Sequence, residues 1–139
     1  MQAHVKDIDL SNKHILVCED HPLNQEIVKE LLEQKKAIVN IAEDGQKGVE
    51  CFTESSVGYY DLILMDVRMP VIDGYRAAKM IRNLPRKDAA SVPIIALTAD
   101  AFTDDIQKSI DAGMNGHIAK PIDPPLLYDK INNAINARH

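Results

Sequence analysis

The residues able to do chemistry stand at the ends of apolar runs. Glu19 and Asp20 follow "HILVC", Asp66 follows "DLILM", Thr98 follows "PIIAL", and Lys120 closes "GHIAK". A carboxylate at the end of so apolar a run needs a partner, because an ionised acid without one loses its hydration at high cost. Three acids, one hydroxyl and one ammonium in this arrangement suit phosphoryl transfer to a carboxylate. Magnesium takes oxygen ligands, keeps several waters and is usually held by one or two carboxylates plus a phosphate. Glu19, Asp20 and Asp66 supply that set, with the backbone carbonyl of Arg68 as a further ligand on the following turn. An ionised aspartate is already a nucleophile, and phosphoryl transfer asks mainly for in-line positioning and neutralisation of charge. Magnesium and Lys120 would neutralise the equatorial oxygens, and Thr98 would hydrogen-bond one of them only when phosphate is present. Like charges at close range also raise carboxylate pKa values unless a metal is bound, so metal dependence is expected.

The elements that must position these groups alternate between two periods. Short β-rich runs recur at His14–Cys18, Ala37–Ile41, Asp61–Met65, Pro93–Leu97 and Gly116–Lys120. Helical spacing fills the gaps. Ile27, Val28, Leu31 and Leu32 share one face, as do Gly74, Ala77, Ala78 and Ile81; Phe102, Ile106 and Ile110; and Leu126, Leu127, Ile131, Ala134 and Ile135. These stripes are expected to be core, and residues 46–52 form a weaker fifth helix. Five strand–helix repeats imply an α/β fold with a parallel sheet and helices on both faces, since parallel strands need crossovers and right-handed crossovers place helices outside. In such a sheet functional groups gather at the carboxyl ends of the strands, where all the candidate groups fall.

Composition narrows the class. A chain of 139 residues with 45% hydrophobic and 27% charged content fits one domain with one core. A formal net charge of −5 without a Lys/Arg cluster argues against nucleic acid as a partner. The apolar runs are too short to span a bilayer and residues 1–12 form a polar lead-in without a signal-peptide core, so the expectation is a cytoplasmic chain that makes no membrane contact itself. Cys18 and Cys51 lack metal-ligand spacing and read as buried free thiols.

Several motifs together resemble a response-regulator receiver domain: "HILVCED", "LILMDVRMPVIDG", "IIALTA" and "HIAKPI", in register across residues 13–137. The resemblance implies a flavodoxin-like, doubly wound five-stranded sheet of order 2-1-3-4-5. It further implies that Asp66 is the phosphoacceptor, Glu19 and Asp20 the acid pair, Thr98 the switch hydroxyl and Lys120 the phosphoryl contact, with Mg2+ as cofactor. A domain of this kind catalyses its own phosphorylation and dephosphorylation without being a stand-alone turnover enzyme. "EDHPLNQEIVKELLEQ" and "IDLSNKHILV" are similar to receivers fused to hybrid histidine kinases, which implies a histidine kinase or a histidine-containing phosphotransfer domain as partner and a monomeric receiver. A stand-alone response regulator is the alternative. Two departures stand out: His117 occupies the position of the usual switch aromatic, and Arg68 and Asp100, of opposite charge, occupy the positions that tune phosphoryl hydrolysis, where they are expected to pair.

Simpler readings exist for single residues. Asp20 alone could be a helix N-cap, Asp73-Gly74 reads as a helix start, Pro70 shapes a turn, and Pro121, by the resemblance, follows a cis peptide. His4, His14, His21, His117 and His139 are scattered and are assigned neither to metal nor to phosphate donation. Leu23 precedes its helix stripe and is expected to mark a docking surface. A magnesium-dependent aspartyl-phosphate phosphatase of the haloacid-dehalogenase type would need an acid two residues after the nucleophile, where Arg68 stands. A flavodoxin would need a Ser/Thr/Gly-rich first loop, where "EDHPLN" stands.

Overall fold

The computed structural model describes residues 8–99 and 103–138. Among these, five strands alternate with five helices: β1 (His14–Cys18), α1 (Pro22–Gln34), β2 (Ile38–Ala42), α2 (Gly45–Glu54), β3 (Leu62–Asp66), α3 (Gly74–Arg82), β4 (Ile94–Thr98), α4 (Thr103–Asp111), β5 (Gly116–Ala119) and α5 (Pro124–Arg138), with a 3₁₀ turn at Lys87–Ala89. All pairings are parallel and the strand order is 2-1-3-4-5. The bounds of β1 match the sequence expectation, and those of the other strands differ from it by one residue. Most strands start later, and β3 and β4 include Asp66 and Thr98 as their last residues. Hydropathy marks where burial starts, whereas the ladder continues as long as backbone partners exist.

Period-two alternation divides the strands between two cores. Leu16, Cys18, Ile63, Met65, Ile94 and Ala96 face one layer, which α2 and α3 close with Val49, Phe52, Ala77, Ala78 and Ile81. Ile15, Val17, Leu62, Leu64, Ile95 and Leu97 face the other, closed by Val28 and Leu32 of α1 and by Leu127, Ile131 and Ile135 of α5. A central strand buried on both sides needs the unbroken apolar runs that the sequence carries.

Several expectations about the core need correction. Ile27, Ile110 and Leu126 are 41%, 59% and 40% exposed. Each lies one residue, about 100° of helix, away from the position that meets the sheet. In α1 and α5 the core residues Val28/Leu32 and Leu127/Ile131/Ile135 are spaced by four, with Leu31 and Ala134 part-buried against the same core, and in α4 Ser109 takes the buried place. Phe102 lies outside the described residues, as do Asp100, His4 and His139. Cys51 is half-buried instead of buried, while Cys18 is enclosed and burial pushes its thiol far up. The lead-in is not wholly outside the packed body: Leu10 is fully buried in the second core and Ile8 packs against it, and the Leu10 N–H donates to the Lys35 carbonyl at 2.8 Å. The helix expected at residues 46–52 is longer, and the Asp44 side chain caps it by accepting from the Lys47 N–H.

One close approach fixes the geometry at the sheet's carboxyl edge. A Cβ on Gly74 would lie 2.2 Å from the Asp66 carbonyl oxygen, so only glycine lets α3 begin against the end of β3. Asp73 caps that helix by accepting from the Arg76 N–H, as the Asp-Gly pair suggests. Arg86 closes the opposite end. Its guanidinium binds Asp88 at 2.6 and 3.0 Å and the carbonyls of Phe52, Ser55 and Ser56 at 2.6 to 2.9 Å, tying the end of α2 to the loop before β4.

Candidate functional site

The candidate groups meet at one place because parallel strands deliver their carboxyl ends to the same edge. Asp66 is the last residue of β3, paired across from Leu97; Thr98 follows one step further along β4; Glu19 and Asp20 follow β1; and Lys120 follows β5. Glu19, Asp66 and Thr98 are buried, and Asp20 is exposed at the mouth. Carboxylate oxygens of Glu19, Asp20 and Asp66 all lie within 4.8 Å of one another.

Asp66 finds two partners in the protein. Its Oδ2 accepts from Lys120 Nζ at 2.7 Å and its Oδ1 accepts from the Arg68 backbone N–H at 3.0 Å. Lys120 also donates to Glu19 Oε1 at 2.9 Å, so one ammonium bridges two buried acids. Glu19 is held further by the His21 N–H, while Gln25 Nε2 donates to the Glu19 carbonyl at 2.6 Å. Burial pushes the Glu19 carboxyl above the usual range, and the bonds from Lys120 and His21 offset that only in part. Burial would lower Lys120, but its bonds to Asp66 and Glu19 outweigh it and hold the ammonium above its ordinary value. The backbone joins the two halves: the Lys120 N–H donates to the Thr98 carbonyl at 2.8 Å and the Val67 N–H to the Leu97 carbonyl at 3.1 Å.

In formal charge, three carboxylates face one ammonium. All-oxygen donors with an uncompensated negative charge fit a hard divalent cation such as magnesium, and they do not fit a softer metal that prefers imidazole or thiolate. Asp20 is free for that role, since His21 is the N-cap of α1 and makes no side-chain cap bond. The Arg68 backbone is placed on the same turn through its N–H, and the Arg68 side chain is exposed. The pairing expected between Arg68 and Asp100 falls outside the described residues. The Lys120–Pro121 peptide is cis. Leu23 is 59% exposed in the first turn of α1, on the same edge as the acids. His117 is half-buried on β5 beside Ala96 of β4.

Sequence reasoning passed over Gln25, the close approaches of Gly45 to the Ile72 carbonyl and of Gly74 to the Asp66 carbonyl, and the Arg86–Asp88 node. The glycines had a legible signal, since a glycine that opens a helix straight after an Asp is unusual. The Arg86 node had none, because its carbonyl partners are set by chain geometry alone.

Residues 15–132 match the response regulator receiver domain family. The chain belongs to that family. This receiver is 38% identical over 123 residues, 87% of its own length, to the hybrid signal transduction histidine kinase I of Dictyostelium discoideum, of which it covers 7%. Its fold is similar, at TM-score 0.80 and 37% identity, to the receiver domain of the sensor histidine kinase PA1611 of Pseudomonas aeruginosa, solved with a magnesium ion coordinated in the active site cleft; 89% of this chain and 98% of that one are covered. It is also similar, at TM-score 0.83 and 31% identity over 93% of this chain and 92% of the other, to a structure of the Saccharomyces cerevisiae histidine phosphotransfer signaling protein Ypd1 with the receiver domain of its downstream response regulator Ssk1. The receiver spans only 6% to 14% of the length of such curated relatives.

Proposed function

We propose that this receiver takes a phosphoryl group from a phosphohistidine onto Asp66, as one step of a phosphorelay. The observation that carries the reading is the Asp66 carboxylate itself: buried at a strand end, held by Lys120 and the Arg68 N–H, and clustered with Glu19 and Asp20. An Asp66 carboxylate oxygen attacks phosphorus, the P–N bond to the donor imidazole breaks, and the imidazole leaves with the electron pair and regains a proton. Lys120, already on Asp66, meets the negative charge that moves toward the acceptor. Thr98 gains an acceptor oxygen once phosphate is present, and the Lys120 N–H bond to its carbonyl couples that event to the loop after β5. Glu19, Asp20 and Asp66, with the Arg68 carbonyl, would hold magnesium. When bound it would supply neutralisation and orientation of the phosphoryl oxygens.

The donor is a histidine kinase or a histidine-containing phosphotransfer protein, and the parent is a hybrid histidine kinase. The similarity to hybrid kinases and to a receiver crystallised with a phosphotransfer protein supports this. The isolated receiver is read as monomeric and cytoplasmic. Acetyl phosphate with magnesium tests the chemistry: intact mass should gain one phosphoryl group in the wild type and none in Asp66→Asn. An adduct on Asp66→Asn would move the acceptor elsewhere.

A further inference from the structure

β2 is an edge strand: it pairs with β1, and among the described residues no strand pairs with its outer side. The Ile38 N–H donates to the Lys13 carbonyl and the Ala42 carbonyl accepts from the Glu19 N–H, so residues 38 and 42, and 40 between them, turn their backbone groups toward β1. By alternation, Val39 and Ile41 present their N–H and C=O groups outward. An open edge of this kind is usually blunted by a charge, a proline or a bulge. The strand "IVNIA" carries none of these, and Ile38 is 44% exposed. β5, at the other edge, is shorter and opens on Gly116 and His117.

The flanks of the strand show what fits it. In "KKAIVNIAED" the alanines and isoleucines mirror each other about Val39 and Asn40, while Lys35 and Lys36 at one end answer Glu43 and Asp44 at the other. A second copy laid antiparallel therefore brings the lysines of each strand to the acids of its partner, whereas a parallel copy would set like charges side by side. Lys36 and Glu43 are exposed, and the pair that Glu43 makes with Lys47 lies in solvent, where it is screened. Copies related by a twofold axis normal to the sheet keep their faces, so only residues that point to the same face can stand opposite each other. With Asn40 across from Asn40, Val39 faces Ile41 and the two exchange both backbone hydrogen bonds. Centring on Val39 instead would set Ala37 against Ile41, and the Ala37 N–H is already given to the Leu32 carbonyl at 3.2 Å.

We infer that β2 is a self-pairing edge, which joins two copies of this receiver into one continuous sheet by antiparallel strand addition. So short a contact buries less than the roughly 1,200 Å² of a stable complex, so the receiver stays monomeric when dilute and pairs when it is concentrated or tethered to a second copy. The test compares NMR diffusion and amide exchange with solvent at about 20 µM and about 2 mM, either side of the affinity of so small an interface. At the higher concentration the wild type should diffuse more slowly than Lys36→Glu by about a tenth, and exchange should slow about twofold at Val39 and Ile41 but not at Ile38 or Asn40. Lys36→Glu alone and Glu43→Lys alone set like charges across the contact; each should melt within about 2 °C of the wild type and show no association. An equimolar mixture of the two variants restores opposite charges and should associate at least as well as the wild type. A wild type that stays monomeric at the higher concentration would overturn the inference. So would association that leaves the Val39 and Ile41 amides unchanged, persists in either single variant or is absent from the mixture.

Discussion

Gly74→Ala probes the contact that joins scaffold to chemistry. The added Cβ would stand 2.2 Å from the Asp66 carbonyl oxygen, more than 1 Å short of an ordinary contact of 3.4 Å, and 2.8 Å from the Val67 Cα, also inside that contact distance. Both obstacles are backbone, so no side-chain rotation relieves them. The start of α3 and the end of β3 must separate, loosening the Gly74 N–H bond to the Val67 carbonyl. Overpacking of this kind costs about 3 kcal/mol, which in a domain of this size lowers the melting temperature by roughly 10 °C. The same displacement moves Asp66 relative to Lys120 and Glu19, and a misplacement of about 1 Å slows a positioned reaction roughly 100-fold. Thermal denaturation and the rate of acetyl-phosphate labelling, read by intact mass, measure the two effects. Gly116→Ala is the control, since a Cβ there meets nothing within 4 Å; it should melt and label as the wild type does. A Gly74→Ala protein within about 1 °C of the wild type and labelled at the same rate would refute the reasoning.

Arg86→Lys keeps a charge but loses the fork that binds Asp88 and four carbonyls, leaving a buried acid poorly paired, so urea denaturation should report a loss of about 3 kcal/mol. Burial would raise Asp88, yet the bonds from Arg86 and from the Gly58 N–H hold it below 3.8. Its contribution is therefore present above the unfolded value and lost as pH falls through the lower folded one, and denaturation from roughly pH 5 to pH 2 should fall less steeply in Arg86→Lys. Asp20→Asn should weaken magnesium binding roughly tenfold by titration calorimetry; equal affinities would count against a metal site. Leu23→Asp should slow exchange with a phosphotransfer protein far more than Thr98→Ala does, with acetyl-phosphate labelling of Leu23→Asp unchanged. The reverse order would make the Thr98 switch the main output.

The elements were legible because their signals are local. Unbroken apolar runs such as "LILM" are what a strand covered on both faces requires, and the helix spacings of Val28/Leu32 and Leu127/Ile131/Ile135 survive in the cores. The flanking positions Ile27, Ile110 and Leu126 could not be separated from those stripes by periodicity alone, because each sits one residue from a contact row whose width the neighbouring element sets. Leu10 was missed for the same reason: an isolated leucine in a polar lead-in has no period, and its burial depends on where the end of α1 lies.

The sequence by itself determined which chemical groups gather at the candidate site. Acid, hydroxyl and ammonium at corresponding ends of parallel strands must share one edge, so Glu19, Asp20, Asp66, Thr98 and Lys120 could be named before any coordinate. Only the tertiary structure decided how they are paired: that Lys120 bridges Glu19 and Asp66, and that Asp20 alone stays exposed. The difference is one of range. Topology follows from patterns a few residues long, whereas a side chain's partner depends on ångström-scale approach between segments as distant in sequence as Glu19 and Lys120, which no local pattern encodes.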